Sequence, residues 1–131
     1  QDQRAVPMIA FHGTADRIVP PGGPSAGTPS FVSFLSVAET LQLWCQFNRC
    51  DFNDLAENQL IDRVFDGTRV RKIRYRAAAD GADVVYISIE NGGHTWPGRP
   101  VFLLSLILGR TTRDVSANDL VWEFFQQNPL P

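Results

Sequence analysis

The sequence holds few residues that could ligate a transition metal. Two histidines and two cysteines are spread through 131 residues, and no CxxC or Cys/His spacing of the kind that builds a zinc site is present. No metal and no cofactor are expected, and a metal held by His12, Asp16 and His94 has no ligand spacing in its favour. Charge of one sign is equally scarce. Twelve Lys and Arg against fourteen Asp and Glu leave a formal charge of -2, with no basic stripe, which argues against a nucleic-acid or anionic-membrane partner. The longest apolar run, 101–108, is far too short to span a bilayer. No apolar segment with a charged leader precedes the first strand, so any export signal is expected to be absent or removed. Two cysteines do not fix a redox compartment.

What is present is the composition of a packed core. Hydrophobic residues are 44% of the chain and charged residues 20%, enough for one domain, 1–131, without disulfide or metal support. Two loops stand out. His12-Gly13-Thr14-Ala15-Asp16 follows the apolar run Met8-Ile9-Ala10-Phe11, and Gly92-Gly93-His94-Thr95-Trp96-Pro97-Gly98 follows Val84-Val85-Tyr86-Ile87-Ser88-Ile89. Each run reads as a buried strand, the first covered on both faces. One carboxylate and one imidazole are thereby expected at the carboxyl ends of strands, the edge where open α/β sheets bind ligands. A carboxylate that orients an imidazole is two thirds of a hydrolytic triad. Each residue also has a plainer reading, Asp16 as a turn-former and His94 as a structural histidine. His12, at the strand end, would hydrogen-bond and shape the aspartate loop.

Between the loops, residues 14–29 contain Pro20, Pro21, Gly22, Gly23, Pro24, Gly27 and Pro29, which exclude helix and central strand and predict a long surface loop. Ser36-Val37-Ala38-Glu39 is a capping box. Val37, Leu41, Trp44, Cys45 and Asn48 then follow helical spacing, predicting a helix to about residue 47. A disulfide between Cys45 and Cys50 would need that helix to end first. The stretch 53–62 is polar and reads as a loop or a short helical turn. Strands over 70–76 and after Gly81, joined through Asp80-Gly81, are predicted to pair antiparallel and deliver the chain to His94. The 101–108 run reads as a buried core segment or, being close to His94, as a lid, an acyl-binding wall or a subunit contact. Ser116 caps a last helix with the stripe Leu120, Val121, Phe124 and Phe125, ended by Asn128-Pro129.

Taken together, these residues resemble the carboxyl-terminal half of the polyhydroxybutyrate depolymerase and feruloyl esterase branch of the α/β-hydrolases. The His12-to-Asp16 loop with Val19-Pro20 resembles the loop that carries the family's catalytic aspartate. The Gly92-to-Gly98 loop resembles the one that carries its catalytic histidine, and segments 36–44 and 112–125 match its helices. The resemblance implies a carboxylester hydrolase of short-chain esters with a Ser-His-Asp mechanism, Asp16 and His94 supplying two of its members, and a secreted or periplasmic location. It also implies an α/β fold: a truncated hydrolase-like sheet of three to four strands with two main packing helices, lacking the amino-terminal half. That half would carry the serine elbow and the oxyanion loop.

Gly23-Pro24-Ser25-Ala26-Gly27 does read GxSxG, on the loop that leaves Asp16, which makes Ser25 the candidate nucleophile although no strand leads into it. Ala78 stands where relatives have a cysteine that could pair with the one matching Cys50, which leaves that bridge without a partner. A shortened sheet is expected to leave an edge unprotected, and dimerisation through that edge or through 101–108 is the simplest remedy. The competing reading is a non-catalytic or split half-domain that assembles with itself or with a chain bringing the serine.

Overall fold

In the computed structural model, which describes residues 4–129, four strands form one mixed sheet. They are β1 (Met8–Gly13), β2 (Cys50–Ile61), β3 (Arg69–Ala77) and β4 (Val84–Glu90), in the order β1-β4-β3-β2. Helices α1 (Val37–Phe47), α2 (Ser105–Leu108) and α3 (Ala117–Gln127) complete a small α/β domain. Residues 1–3 of the polar lead-in lie outside the described residues. None of the helices among the described residues is long and apolar enough to cross a membrane.

The continuous hydrophobicity of β1 and β4 follows from burial on both faces. On one face Ile9, Phe11, Val85, Ile87 and Ile89 pack under Leu120 and Phe124 of α3. On the other, Met8, Val84 and Tyr86 pack under Leu41 and Cys45 of α1. Val84 and Ile87 are fully buried, and burying a side chain of that size stabilises by about 1.5–3 kcal/mol. Helix α1 begins where its capping box places it: the Ser36 hydroxyl accepts from the Glu39 amide, and the Glu39 carboxylate accepts from the Ser36 amide at 2.8 Å. Helix α3 is capped by Ser116 in the same sense. Its buried stripe is narrower than its sequence implies, because Phe124 is buried while Phe125 is exposed.

Strand β1 pairs parallel with β4, in register from Met8 opposite Val84 to Gly13 opposite Ile89. Strand β4 pairs antiparallel with β3 across the turn in which the Gly81 amide donates to the Ala78 carbonyl. Among the described residues no strand pairs with the other edge of β1, which ends the strand order.

Three expectations change. Residues 53–62 are neither loop nor helical turn, because most of the stretch belongs to β2. Strand β2 is an edge strand with register shifts near Leu55, and its partner supplies charge in place of apolar burial. Glu57 pairs with Lys72 and Arg74, and Asp54 with Arg76. The run 101–108 is not buried core: Phe102, Leu103 and Leu106 are each at least 85% exposed. Asn48 ends α1 instead of extending its apolar face. Fully buried, it accepts from the Val6 amide and donates to the Val6 carbonyl, holding the chain that enters β1. Cys45 and Cys50 are free thiols, and burial pushes the Cys45 thiol up to about 12, so it packs as an apolar group.

Two carboxylates fasten the β2–β3 loop to the approach to α3. Asp114 accepts from the Arg63 and Val64 amides at 2.6 and 2.8 Å. Asp66 accepts from the Arg113 amide at 2.7 Å and from Thr68. Since Asp114 is buried, Asp114→Ala strands two amides, and it should lower the unfolding free energy by about 2–3 kcal/mol. The measurement is the denaturant midpoint at unchanged slope, and a midpoint equal to wild type would refute the assignment.

Candidate active site

The parallel register brings the ends of β1 and β4 side by side, and backbone bonds then join the two loops. The Thr14 amide donates to the Ile89 carbonyl and the Ala15 amide to the Gly92 carbonyl, both at 2.9 Å. The Asn91 amide donates to the Thr14 hydroxyl. The approach is close enough that a Cβ on Gly13 would collide with the Gly92 carbonyl, so the position needs glycine. The histidine loop is pinned from its other side by 108–112. Gly93 donates to the Arg110 carbonyl, His94 to the Leu108 carbonyl, and the Thr95 hydroxyl to the Arg110 carbonyl. Gly93 is packed so tightly on Leu108 that it has no room for a side chain.

Asp16 and His94 meet on this frame. The Asp16 Oδ1 accepts from the Ile18 and Val19 amides at 2.9 and 2.8 Å, a turn in which the side chain satisfies its own loop. Its Oδ2 accepts from His94 Nδ1 at 2.8 Å. The carboxylate is 5% exposed and the imidazole 48%. Burial alone pushes the Asp16 carboxyl upward, but the Val19 amide, the His94 ring and the Ile18 amide outweigh it and hold Asp16 below the usual carboxylate range. An ionised Asp16 fixes the Nδ1–H tautomer of His94, leaving Nε2 as the acceptor on a half-exposed ring. That is the arrangement a general base needs.

The pair opens into a cleft of about 380 Å³ walled by His12, His94 and Trp96. An adjoining apolar cavity of about 330 Å³ shares Phe11, His12 and Val19 with it and is closed by Phe34, Leu35 and Tyr86. Trp96 both packs against the sheet and faces the cleft. It packs against Phe11 with ring centroids 6.1 Å apart, it donates from Nε1 to Asn118 at 2.9 Å, and it lines the cleft.

Of the three candidate residues, the fold brings Asp16 and His94 into contact, while Ser25 lies elsewhere on the surface loop. It is exposed, in a turn where its amide donates to the Thr28 hydroxyl and its carbonyl accepts from the Thr28 amide. It is not part of the cleft wall, and among the described residues that wall contains no serine or cysteine. Among the backbone donors of the glycine-rich loops, those of Gly23, Gly92, Gly93 and His94 donate to backbone carbonyls. The sequence pattern did not single out Ile18, and Val19 entered only as part of the resembling loop; the contribution of both is main-chain, and the signal for it is the turn-forming habit of aspartate itself.

No family model matches the chain. The chain is 28% identical to the protein named "Putative esterase NocK" of Nocardia uniformis subsp. tsuyamanensis, over 91% of this chain and 37% of NocK. It thus spans little more than a third of that relative's length, and the similarity marks an esterase-like relationship.

Because folded Asp16 titrates below its ordinary value of 3.8, its stabilisation is complete above that value and is lost as pH falls through the lower folded value. The stability difference between wild type and Asp16→Asn should therefore shrink as pH falls below the ordinary value of 3.8. A gap that persists unchanged to pH 2, measured by urea unfolding, would rule this out.

Proposed function

We propose that the chain carries the acid–base pair of a carboxylester hydrolase of short-chain esters. His94 is general base and then general acid, and Asp16 holds its tautomer and stabilises the imidazolium. The observation that carries the reading is the 2.8 Å bond from His94 Nδ1 to the buried Asp16 carboxylate. The esterase-like relationship to NocK supports the same reaction class. In this reading the chain corresponds to the carboxyl-terminal half of an α/β-hydrolase of the polyhydroxybutyrate depolymerase and feruloyl esterase branch. The open cleft suits a small acyl group, with the adjoining apolar cavity taking the rest of the ester.

The reaction needs a serine whose hydroxyl reaches His94 Nε2. The first candidate is Ser25, on the loop that begins at Asp16. A second reading has the serine and the oxyanion donors arrive on another polypeptide segment or a second copy of the chain. It is favoured by a cleft wall that, among the described residues, contains no serine, and by the Gly92, Gly93 and His94 amides already spent on backbone carbonyls. The outer edge of β1 and the exposed 101–108 run are the surfaces on which such a segment would assemble.

The purified chain should hydrolyse a short p-nitrophenyl ester, with His94→Ala lowering kcat on the order of 10³-fold or more. A serine-directed phosphonate should label Ser25 under the first reading. Under the second, turnover should track a dimer or larger assembly in light scattering, with the label on a serine outside the loop. A chain inert to every activated ester, alone and assembled, would end both.

A further inference from the structure

His12 is the chain's other histidine, and the acid–base pair does not use it directly. It is the penultimate residue of β1, opposite Ser88 in the register. Its Nε2 is 2.9 Å from the Val19 carbonyl oxygen, and the same nitrogen is 3.8 Å from Asp16 Oδ2. A carbonyl only accepts, so Nε2 must carry the proton. Val19 is therefore gripped twice: His12 donates to its carbonyl, and its amide donates to Asp16 Oδ1 at 2.8 Å. With Oδ1 held by the Val19 and Ile18 amides, Oδ2 is the oxygen left to face His94 Nδ1.

The grip acts on an exposed stretch of the chain. Arg17 and Ile18 are exposed, and the next residues enter the proline- and glycine-rich loop. The strand end that carries His12 is, by contrast, tied into the sheet by its pairing with β4. A ring on a paired strand thus fixes a peptide on a loop, and that peptide orients the carboxylate.

We propose that His12 is a positioning residue for the His94–Asp16 pair: its Nε2–H fixes the Val19 peptide, and that peptide aims the Asp16 carboxylate at His94. The two histidines then hold opposite neutral tautomers, Nδ1–H in His94 and Nε2–H in His12. The proposal rests on reading the pair as an acid–base couple, but its first test does not require activity.

Long-range ¹H–¹⁵N spectra of the wild-type chain at a pH where both rings are neutral should show two imidazoles of opposite tautomer, assigned through His12→Gln. An Nδ1–H tautomer at His12 would overturn the proposal with no variant needed. In His12→Leu, His94 should change from one tautomer to a mixture, while His12→Gln, whose side-chain amide can still donate to Val19, keeps it pure. On a short p-nitrophenyl ester, His12→Leu should lower kcat about tenfold to a hundredfold with KM within twofold, and His12→Gln should restore at least half of the lost activity. A folded His12→Leu chain with His94 still wholly Nδ1–H would refute the positioning role. Absence of turnover in wild type would count against the esterase reading alone and leave the spectra to decide this one.

Discussion

The parallel pairing of β1 with β4 is the constraint on which the rest depends. Parallel neighbours end at the same edge of a sheet, so Gly13 opposite Ile89 fixes where both functional loops begin. A shift of one residue would turn the buried side chains of β1 to the opposite face. It would also draw Asp16 away from His94. That register is held by apolar burial on both faces, by Ile9 and Phe11 under α3 and by Met8 under α1. Core packing and site geometry are consequences of the same alignment.

Burying a carboxylate is costly unless its lone pairs are met. Asp16 meets that condition with two main-chain donors from its own turn and one ring donor from the facing loop. The local donors are the amides of the second and third positions after the aspartate, so the turn holds one oxygen independently of the partner. The second oxygen is thus available for a contact spanning 78 positions of sequence. Local satisfaction of one oxygen and distant use of the other let a single buried charge both order a loop and orient an imidazole. The cleft stays open on the His94 side, where the ring is half exposed.

Much of this was legible in the residues, for identifiable reasons. Continuous apolar runs mark β1 and β4, and the hydroxyl-plus-glutamate signature marks the start of α1, because these signals are local and act through burial or a cap. The meeting of Asp16 and His94 was legible only through two loops each following a strand; their contact distance needed the register. Strand β2 was not legible. Its side chains pair with the charges of β3 across an exposed edge, and such pairs carry little intrinsic strand preference. The exposure of Phe102, Leu103 and Leu106 was hidden for the opposite reason, since hydrophobicity reports a tendency to be buried and not the surface available to bury it.

That surface is where the chemistry is unfinished. The adjoining apolar cavity runs along β1 at Ala10, Phe11 and His12 and shares its wall with the His94 cleft, and β1 is the strand whose outer edge pairs with no strand among the described residues. A segment that covered this edge would satisfy exposed strand groups and close the cavity in one step. It would also arrive beside the imidazole. The amides of Gly92, Gly93 and His94 are already spent on backbone carbonyls, so an oxyanion formed on a substrate carbonyl beside Nε2 would need stabilisation from donors other than these three. Preorganised donors contribute most when they are fixed before charge develops. The Asp16–His94 pair meets that condition on its own side of the cleft, and under the proposed function the remaining donors and the serine have to reach it from the Ser25 loop or from a segment that closes the other side.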